Sequence, residues 1–212
     1  MLLMTILSLE ALSVHPTETA NHQITMSLLA NYYEKFLNPT YYDVELSDGN
    51  TIRIDFHKEN FCHLIGIDQI AEAHFKDPKH PKMFMHKGKG GFKRAKNKNL
   101  EFSYLKNLHQ HQYDYEERKF HFFHFIHTMM DSGNLKLVSY VSIPGSNLKC
   151  DFMFHDEFDN ALLHLGVEKS TKGENFFPKT FFARYLSSAK ADEYIAPQTT
   201  VVIKKINKVN RI

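Results

Sequence analysis

The pattern of apolar and polar positions predicts a helix followed by a β-hairpin in the first quarter of the chain. Residues 20–36 repeat apolar side chains at helical spacing until Asn38-Pro39, which favours the end of a helix. Residues 41–46 and 51–56 alternate at period two and flank Ser47-Asp48-Gly49-Asn50, a sequence typical of a tight turn. We therefore predict an N-terminal helix and an antiparallel hairpin.

Helical periodicity returns after residue 100 and gives way to strands after residue 131. The helical stretch has a break around His109 to Tyr113, and turn sequences separate the apolar runs that follow. The predicted strands cover residues 135–142, 149–154, 161–168 and 199–206. This succession predicts an α+β fold, in which an antiparallel sheet of about four strands carries helices on one face, in addition to the N-terminal helix and hairpin.

The bulk composition predicts a globular protein with a sizeable core. The 212 residues are 42% hydrophobic, and the aromatic ones comprise 18 Phe and 10 Tyr but no Trp. We expect residues 1–25 to form a loosely ordered arm and residues 26–212 to form a single domain. The opening lacks a basic region and no apolar run approaches about 20 residues, so we expect no membrane contact and a cytoplasmic protein. Two cysteines are too few for a disulfide framework, and we interpret both as buried thiols.

Positive charge is concentrated in residues 76–98, which hold nine Lys or Arg and a single acidic residue, whereas the rest holds 17 basic and 23 acidic residues. Proline and glycine interrupt this segment, so we predict a mobile basic loop. Cations interleaved with Phe84, His86 and Phe92 suit a phosphodiester backbone, and the alternative is a solvated loop without a partner. The candidate nucleic-acid-binding residues are Lys87, Lys89, Lys93 and Arg94.

Two stretches carry candidate catalytic residues. His63 lies where the second hairpin strand gives way to an amphipathic helix, and the alternative is a histidine packed at a helix start. Lys169 ends a predicted strand, and Lys179 and Thr180 follow Pro178. The alternative for these residues is a solvated lysine and a helix-capping threonine.

A pattern of three spaced histidines does not favour a metal site. His121, His124 and His127 follow one another at three-residue steps, which place the first and last about 120° apart on a helix, without a carboxylate at the HExxH position. We therefore predict a core or helix-face role and no metal. Neither GxGxxG, GxxxxGK[ST] nor GxSxG occurs, so nothing indicates a nucleotide cofactor or a serine hydrolase.

Residues 60–67 with the preceding residues 52–56, and then residues 178–182, resemble the phage-associated PBECR nucleases, a branch of the barnase, EndoU, colicin and RelE-like ribonuclease superfamily. The resemblance extends from about Tyr41 to Lys205. It implies a BECR-like nuclease domain with a four-stranded antiparallel sheet, RNA as the substrate, and metal-independent cleavage without a cofactor. It also implies a toxin or mobile-element setting, with an antitoxin or immunity protein as the partner class.

Under this resemblance the substrate's own 2′-hydroxyl attacks the adjacent phosphorus and leaves a 2′,3′-cyclic phosphate. His63 would be the acid or base, Lys169 and Lys179 would stabilise the phosphate charge, and Thr180 would donate a hydrogen bond to it. His164 would be the reserve proton carrier. The rival interpretations are a noncatalytic RNA- or ribosome-binding module that uses the basic loop, and a metal-dependent hydrolase built on the three spaced histidines.

Overall fold

The computed structural model describes residues 5–171 and 173–211, which form two compact units. The first unit comprises the described residues up to Phe36 together with Lys58–His124, and the second comprises Leu37–His57 and the described residues from Phe125 onward. The expected division into an arm of residues 1–25 and a single domain of residues 26–212 stays a prediction.

The described part of the first unit is built from helices. A π-helical turn, Tyr33–Leu37, follows the second helix, and 3-10 helices cover Lys58–Asn60 and Pro81–Met85. The α-helices are α1 (Leu9–Ser13), α2 (Met26–Tyr32), α3 (Phe61–Leu64), α4 (Ile67–Phe75), α5 (Gly88–Lys96), α6 (Phe102–Leu108) and α7 (Gln110–Phe122). None of the described helices is both long enough and apolar enough to serve as a membrane span.

Local capping explains two of the helix boundaries. Thr25 caps α2, because its hydroxyl accepts a hydrogen bond from the Leu28 amide at 3.1 Å. His109 separates α6 from α7 and accepts from the Gln112 amide through Nδ1 at 3.2 Å. The predicted break in the helical stretch after residue 100 is therefore confirmed.

An aromatic cluster fills the core of the first unit. Tyr33, Phe61, Phe92 and Phe123 are each at most 4% exposed. The rings of Phe61 and Phe92 meet edge to face with their centroids 5.4 Å apart, and Phe61 meets Phe123 in the same way at 5.7 Å. The many phenylalanines of the sequence thus serve core packing here.

The second unit contains one helix and an eight-stranded sheet among its described residues. The helix is α8 (Phe125–Met130). The strands are β1 (Thr40–Leu46), β2 (Thr51–Asp55), β3 (Lys136–Ser139), β4 (Phe152–Phe158), β5 (Ala161–Lys169), β6 (Phe176–Tyr185), β7 (Thr199–Val201) and β8 (Ile203–Asn210). Their order is β7-β3-β4-β5-β6-β2-β1-β8. Neighbouring strands are antiparallel, with the exception of the parallel pair β2 and β6.

The two edge strands of this order are nearly continuous in sequence, since β7 ends at Val201 and β8 begins at Ile203. The sheet must therefore curve until its edges meet, which makes it a nearly closed, barrel-like sheet. The α+β class and the hairpin β1–β2 are as predicted. The predicted four-stranded antiparallel sheet is wrong, because the hairpin joins the same sheet through the parallel pairing of Ile54 with Phe176.

The segment predicted to be a mobile basic loop is largely helical instead. Residues 76–98 contain the 3-10 helix Pro81–Met85 and α5. The glycines that predicted a loop instead allow close packing, because a Cβ on Gly91 would lie 2.6 Å from Sγ of Cys62. Phe92 and Ala95 are buried on the same helix, so its opposite side carries the cations.

Candidate functional site

A histidine and a carboxylate are paired on the short helical segment of the first unit. His63 lies on α3 and Asp68 lies in the first turn of α4, with His63 Nδ1 at 2.8 Å from Asp68 Oδ2. Because a carboxylate only accepts hydrogen bonds, Nδ1 carries the hydrogen and Nε2 is the nitrogen available for proton transfer. The His63 side chain is 39% exposed, so a ligand can reach the ring.

Further contacts orient this pair. The side-chain Nε2 of Gln69 donates to the carbonyl oxygen of His63 at 3.2 Å. The backbone N–H of Gln69 donates to Asp68 Oδ1 at 3.0 Å. Asp68 is only 8% exposed. The carboxylate is therefore held in place, and it fixes both the tautomer and the direction of the imidazole.

A glycine turn places Asp68 beside His63. Gly66 has a φ of +88°, a conformation that side chains with a Cβ rarely adopt, and it precedes α4 directly. A Cβ at this position would lie 2.8 Å from the Cβ of Glu116 on α7. Glu116 is itself fixed, because it forms an ion pair with Lys119 at 2.7 Å and accepts from Gln112 at 2.8 Å. The turn therefore rests on α7.

The basic helix α5 packs against the segment that carries His63. Gly91 approaches Cys62, the residue immediately before His63, and Lys89 forms an ion pair with Glu59 at 3.1 Å. Burial raises the pKa of the Cys62 thiol well above its usual range, so this cysteine is a packing residue rather than a nucleophile. As a result, cations and the imidazole lie on neighbouring elements of one unit.

The four predicted nucleic-acid-binding residues differ in exposure. Lys89 is 77% exposed despite its ion pair, and Lys93 is exposed and forms no ion pair within the described part of the chain. Residues four apart share a helix face, so these two lysines form one cationic surface. Lys87 Nζ donates to the Pro78 carbonyl at 2.9 Å. Arg94 instead donates to the Asn99 carbonyl at 3.0 Å, which lies beyond the end of α5, so this side chain supports the turn that follows its helix.

A carboxylate on the π-helical turn binds two further cations of this surface. Glu34 accepts from Lys58 at 2.7 Å and also from Lys96. The Lys58 ammonium, and then that of Lys96, hold the pKa of the Glu34 carboxyl below its usual range. Glu34 thus lowers the net positive charge that α5 presents.

The remaining predicted catalytic residues lie in the second unit, where a β-bulge places two of them side by side. Thr180 pairs with Gly166 but Pro178 pairs with Val167, so Lys179 is the extra residue of the bulge. Pro178 has no amide hydrogen, which explains why the ladder is interrupted there. Lys179 and Thr180 are both partly exposed, because a bulge turns consecutive side chains toward the same side.

Each of the two predicted lysines of this unit has a carboxylate partner. Lys179 Nζ lies 2.8 Å from Glu168, and Lys169 Nζ lies 2.7 Å from Glu174. Thr180 is a strand residue, so the helix-capping alternative does not apply; its methyl group packs over Gly166, where a Cβ would lie 2.7 Å away. The sheet therefore brings these residues onto the adjoining strands β5 and β6.

His164 is fully buried on β5 and stacks on Phe182 with ring centroids 4.3 Å apart. Burial lowers the pKa of His164 to about 3, and burial together with Lys136 lowers the pKa of the facing His155 to about 4. Both rings are therefore neutral at physiological pH. This environment is that of a packed imidazole, and it does not favour His164 as a proton carrier.

The three spaced histidines do not share one helix. His121 lies on α7 with Nδ1 at 3.3 Å from Glu18, His124 is 1% exposed between α7 and α8, and His127 lies on α8. In residues 5–171 and 173–211, no group of three or more His, Cys, Asp or Glu side chains is arranged to hold a metal ion.

Asp68 and Gln69 are not among the residues predicted from the sequence. A carboxylate two residues after a glycine, in the first turn of a predicted helix, is a recognisable signal, but its contact with His63 depends on the left-handed Gly66. Periodicity does not reveal such a turn, because it reports faces of regular elements and not the angle between them.

A carboxylate-oriented histidine beside an exposed cationic helix combines a group for proton transfer with cations that can neutralise phosphates. A family model described as PBECR4, phage-Barnase-EndoU-ColicinE5/D-RelE like nuclease4, matches residues 26–211. The chain belongs to this phage-associated nuclease family, which confirms the resemblance found in the sequence. Family membership supports an enzyme that acts on nucleic acid. No curated protein and no solved structure matches the chain.

Proposed function

We propose that this nuclease is an endoribonuclease that cleaves RNA without a metal ion and leaves a 2′,3′-cyclic phosphate. The observation that carries the proposal is the 2.8 Å pairing of His63 with the buried Asp68, beside an accessible imidazole. RNA supplies its own nucleophile, so the protein needs only a proton carrier and charge stabilisation. DNA lacks the 2′-hydroxyl and is not cleaved by this route.

In the proposed reaction, His63 Nε2 takes the proton of the 2′-hydroxyl as the O2′–P bond forms. The P–O5′ bond breaks, and the leaving 5′-oxygen takes a proton from solvent. Asp68 stabilises the imidazolium that forms and keeps Nε2 directed at the substrate. It is a positioning residue, because it acts through His63.

The α5 lysines hold the flanking phosphates in this proposal. Lys89 and Lys93 are exposed on one helix face, and Lys87 lies at the start of the same helix. Neutralised phosphates release counterions, so we expect affinity for RNA to fall steeply with salt. Arg94 contributes mainly by supporting the turn after this helix.

The roles that the resemblance assigns to Lys169, Lys179 and Thr180 form a separate proposal for the second unit. The two lysines would stabilise charge on the phosphate oxygens, and Thr180 would donate a hydrogen bond. The ion pairs with Glu168 and Glu174 are partly or largely exposed, so exchanging a carboxylate for a phosphate costs little. Replacing Lys179 by Ala tests this assignment independently of His63.

The decisive experiment incubates the purified protein with total RNA in chelator and analyses the ends of the fragments. We expect cyclic phosphate ends from the wild type, and a loss of roughly 10²- to 10⁴-fold for His63→Ala. His111→Ala is the matched control, because His111 is an exposed histidine of the same unit on α7. Equal cleavage by the His63 and His111 variants would remove His63 from the mechanism.

Two other outcomes separate the rival functions. RNA that is bound in a salt-dependent way but stays intact would identify a noncatalytic RNA-binding module. Cleavage that stops in chelator would identify a metal-dependent nuclease. A single 2′-deoxy nucleotide at the mapped cut position must block cleavage if the substrate's hydroxyl is the nucleophile.

We also propose that the enzyme acts in the cytoplasm as a toxin of a mobile element, controlled by an antitoxin or immunity protein. The phage association of the family supports this setting. Induced expression of the wild type should arrest growth, and expression of the His63→Ala variant should not. Equal arrest by both would contradict a toxicity that depends on RNA cleavage.

A further inference from the structure

One large apolar side chain within the basic segment of residues 76–98 has no role in the function proposed above. Phe84 is 66% exposed, whereas His86 and Phe92 of the same segment are buried and His80 is partly buried and stacks on Phe75. Leaving a phenylalanine ring in water forgoes the favourable burial of its surface. The ring therefore lies where a ligand can cover it.

The backbone that carries Phe84 is held rigidly. His80 caps the 3-10 helix Pro81–Met85, because its Nδ1 accepts from the Lys82 amide at 3.2 Å. Met83 anchors this helix in the core at 1% exposure. The carbonyl of Phe84 lies so close to Gly90 that a Cβ there would collide with it. Glycine at that position lets the Phe84 backbone lie against the first turn of α5.

Exposed lysines flank Phe84 along the chain. Lys82 lies on the same 3-10 helix, Lys87 is the N-cap of α5 and Lys89 lies in the first turn of α5. An exposed aromatic ring close in sequence to exposed cations suits a single-stranded nucleic acid, because the ring stacks on a base while the ammonium groups bind the flanking phosphates. A protein partner with an apolar surface would not use the cations.

We propose that Phe84 stacks on an unpaired nucleobase of the bound strand and that the neighbouring lysines hold the adjacent phosphates. The inference rests on the proposed function, since it takes the ligand to be the RNA substrate. It goes further by assigning a base-binding position and by predicting a preference for single-stranded over duplex RNA, whose bases are not available for stacking.

Because the sequence contains no tryptophan, a single introduced tryptophan is a direct probe of this position. Phe84→Trp introduces the only tryptophan of the chain at the proposed stacking position. A single-stranded DNA oligonucleotide of mixed sequence serves as a ligand that cannot be cleaved by the 2′-hydroxyl route. We expect strong quenching on titration, because a base stacks on the indole. Tyr115→Trp is the control, since Tyr115 is 72% exposed on α7 beside the exposed Asp114. Its emission should not change.

Affinity measurements separate stacking from charge. Phe84→Ala should weaken binding of the oligonucleotide roughly 5- to 150-fold, and the dependence on salt should stay that of the wild type. Lys89→Ala should instead reduce the salt slope by about 0.7. Phe84 is exposed, so its replacement leaves the core intact.

Binding by Phe84→Ala at wild-type affinity, or unquenched emission of Phe84→Trp at every oligonucleotide concentration, would overturn the inference. Neither result depends on cleavage. If the wild type gives no cyclic phosphate ends that depend on His63, but the emission of Phe84→Trp is still quenched, the proposed ribonuclease is rejected and the stacking site is kept. If RNA is cleaved in a His63-dependent way but the emission of Phe84→Trp is not quenched, the ribonuclease is kept and the stacking site is rejected.

Discussion

Acid should destabilise the second unit through its buried histidines, and His164 gives the clearest measure of the effect. The folded-state pKa of His164 is about 3, and an unfolded histidine has a pKa of about 6.5. Because the folded pKa is the lower one, the neutral form is favoured by folding. The contribution of His164 is therefore fully present above about pH 6.5 and is lost as the pH falls toward 3.

The size of the loss follows from proton uptake. At pH 5 about 97% of unfolded chains, and about 1% of folded ones, carry a proton on this residue, which lowers the free energy of unfolding by roughly 2 kcal/mol relative to pH 8. His155, with a folded pKa of about 4, adds a loss of similar size over the same range.

The assay is urea unfolding of the wild type and of His164→Leu at pH 8 and at pH 5. The compared quantity is the decrease in the free energy of unfolding from pH 8 to pH 5 within each protein. The general cost of the substitution therefore cancels. We expect the wild type to lose roughly 2 kcal/mol more than the variant. His111→Leu, at an exposed position, should behave as the wild type. An equal loss for wild type and His164→Leu would refute a neutral, buried His164.

Three further changes test the first unit. Asp68→Asn should keep the fold but reduce the rate of RNA cleavage by roughly 10²- to 10⁴-fold, because the amide no longer fixes the His63 tautomer; unchanged initial rates would contradict this. Gly66→Ala should destabilise by about 1–3 kcal/mol in thermal unfolding, given its φ of +88° and its contact with Glu116. Glu34→Gln should release its two lysines, and RNA titrations should then show tighter binding with a steeper salt slope.

The local elements could be predicted from the sequence because their signals are short in range. The hairpin β1–β2 is encoded by period-two alternation around an Asp-Gly turn, and the meander β3–β4–β5 by apolar runs between turns. The break at His109 is likewise a local signal, since that residue caps the next helix. The candidate residue His63 was selected from the same kind of junction, and its role stays a prediction.

The features that the sequence did not reveal depend on contacts between distant segments. The parallel pairing of β2 with β6 and the near closure of the sheet by β7 and β8 leave no periodic signal in either partner. Helix α5 was missed because its glycines favour turns locally, whereas the packing of Gly91 on Cys62 favours a helix. Asp68 was missed because a single left-handed glycine sets its direction.

The pairing of β1 with β8 has a consequence for synthesis of the chain. Asn207 Nδ2 donates to Glu45 Oε1 at 2.9 Å across 162 residues. At roughly 5–20 residues per second, a ribosome takes on the order of 10–30 s to make the partner that β1 requires. During that interval β1 has an unpaired edge, which is a template for association between chains. A nascent-chain chaperone that covers β1 should therefore raise the yield of this nuclease more than one that acts after release.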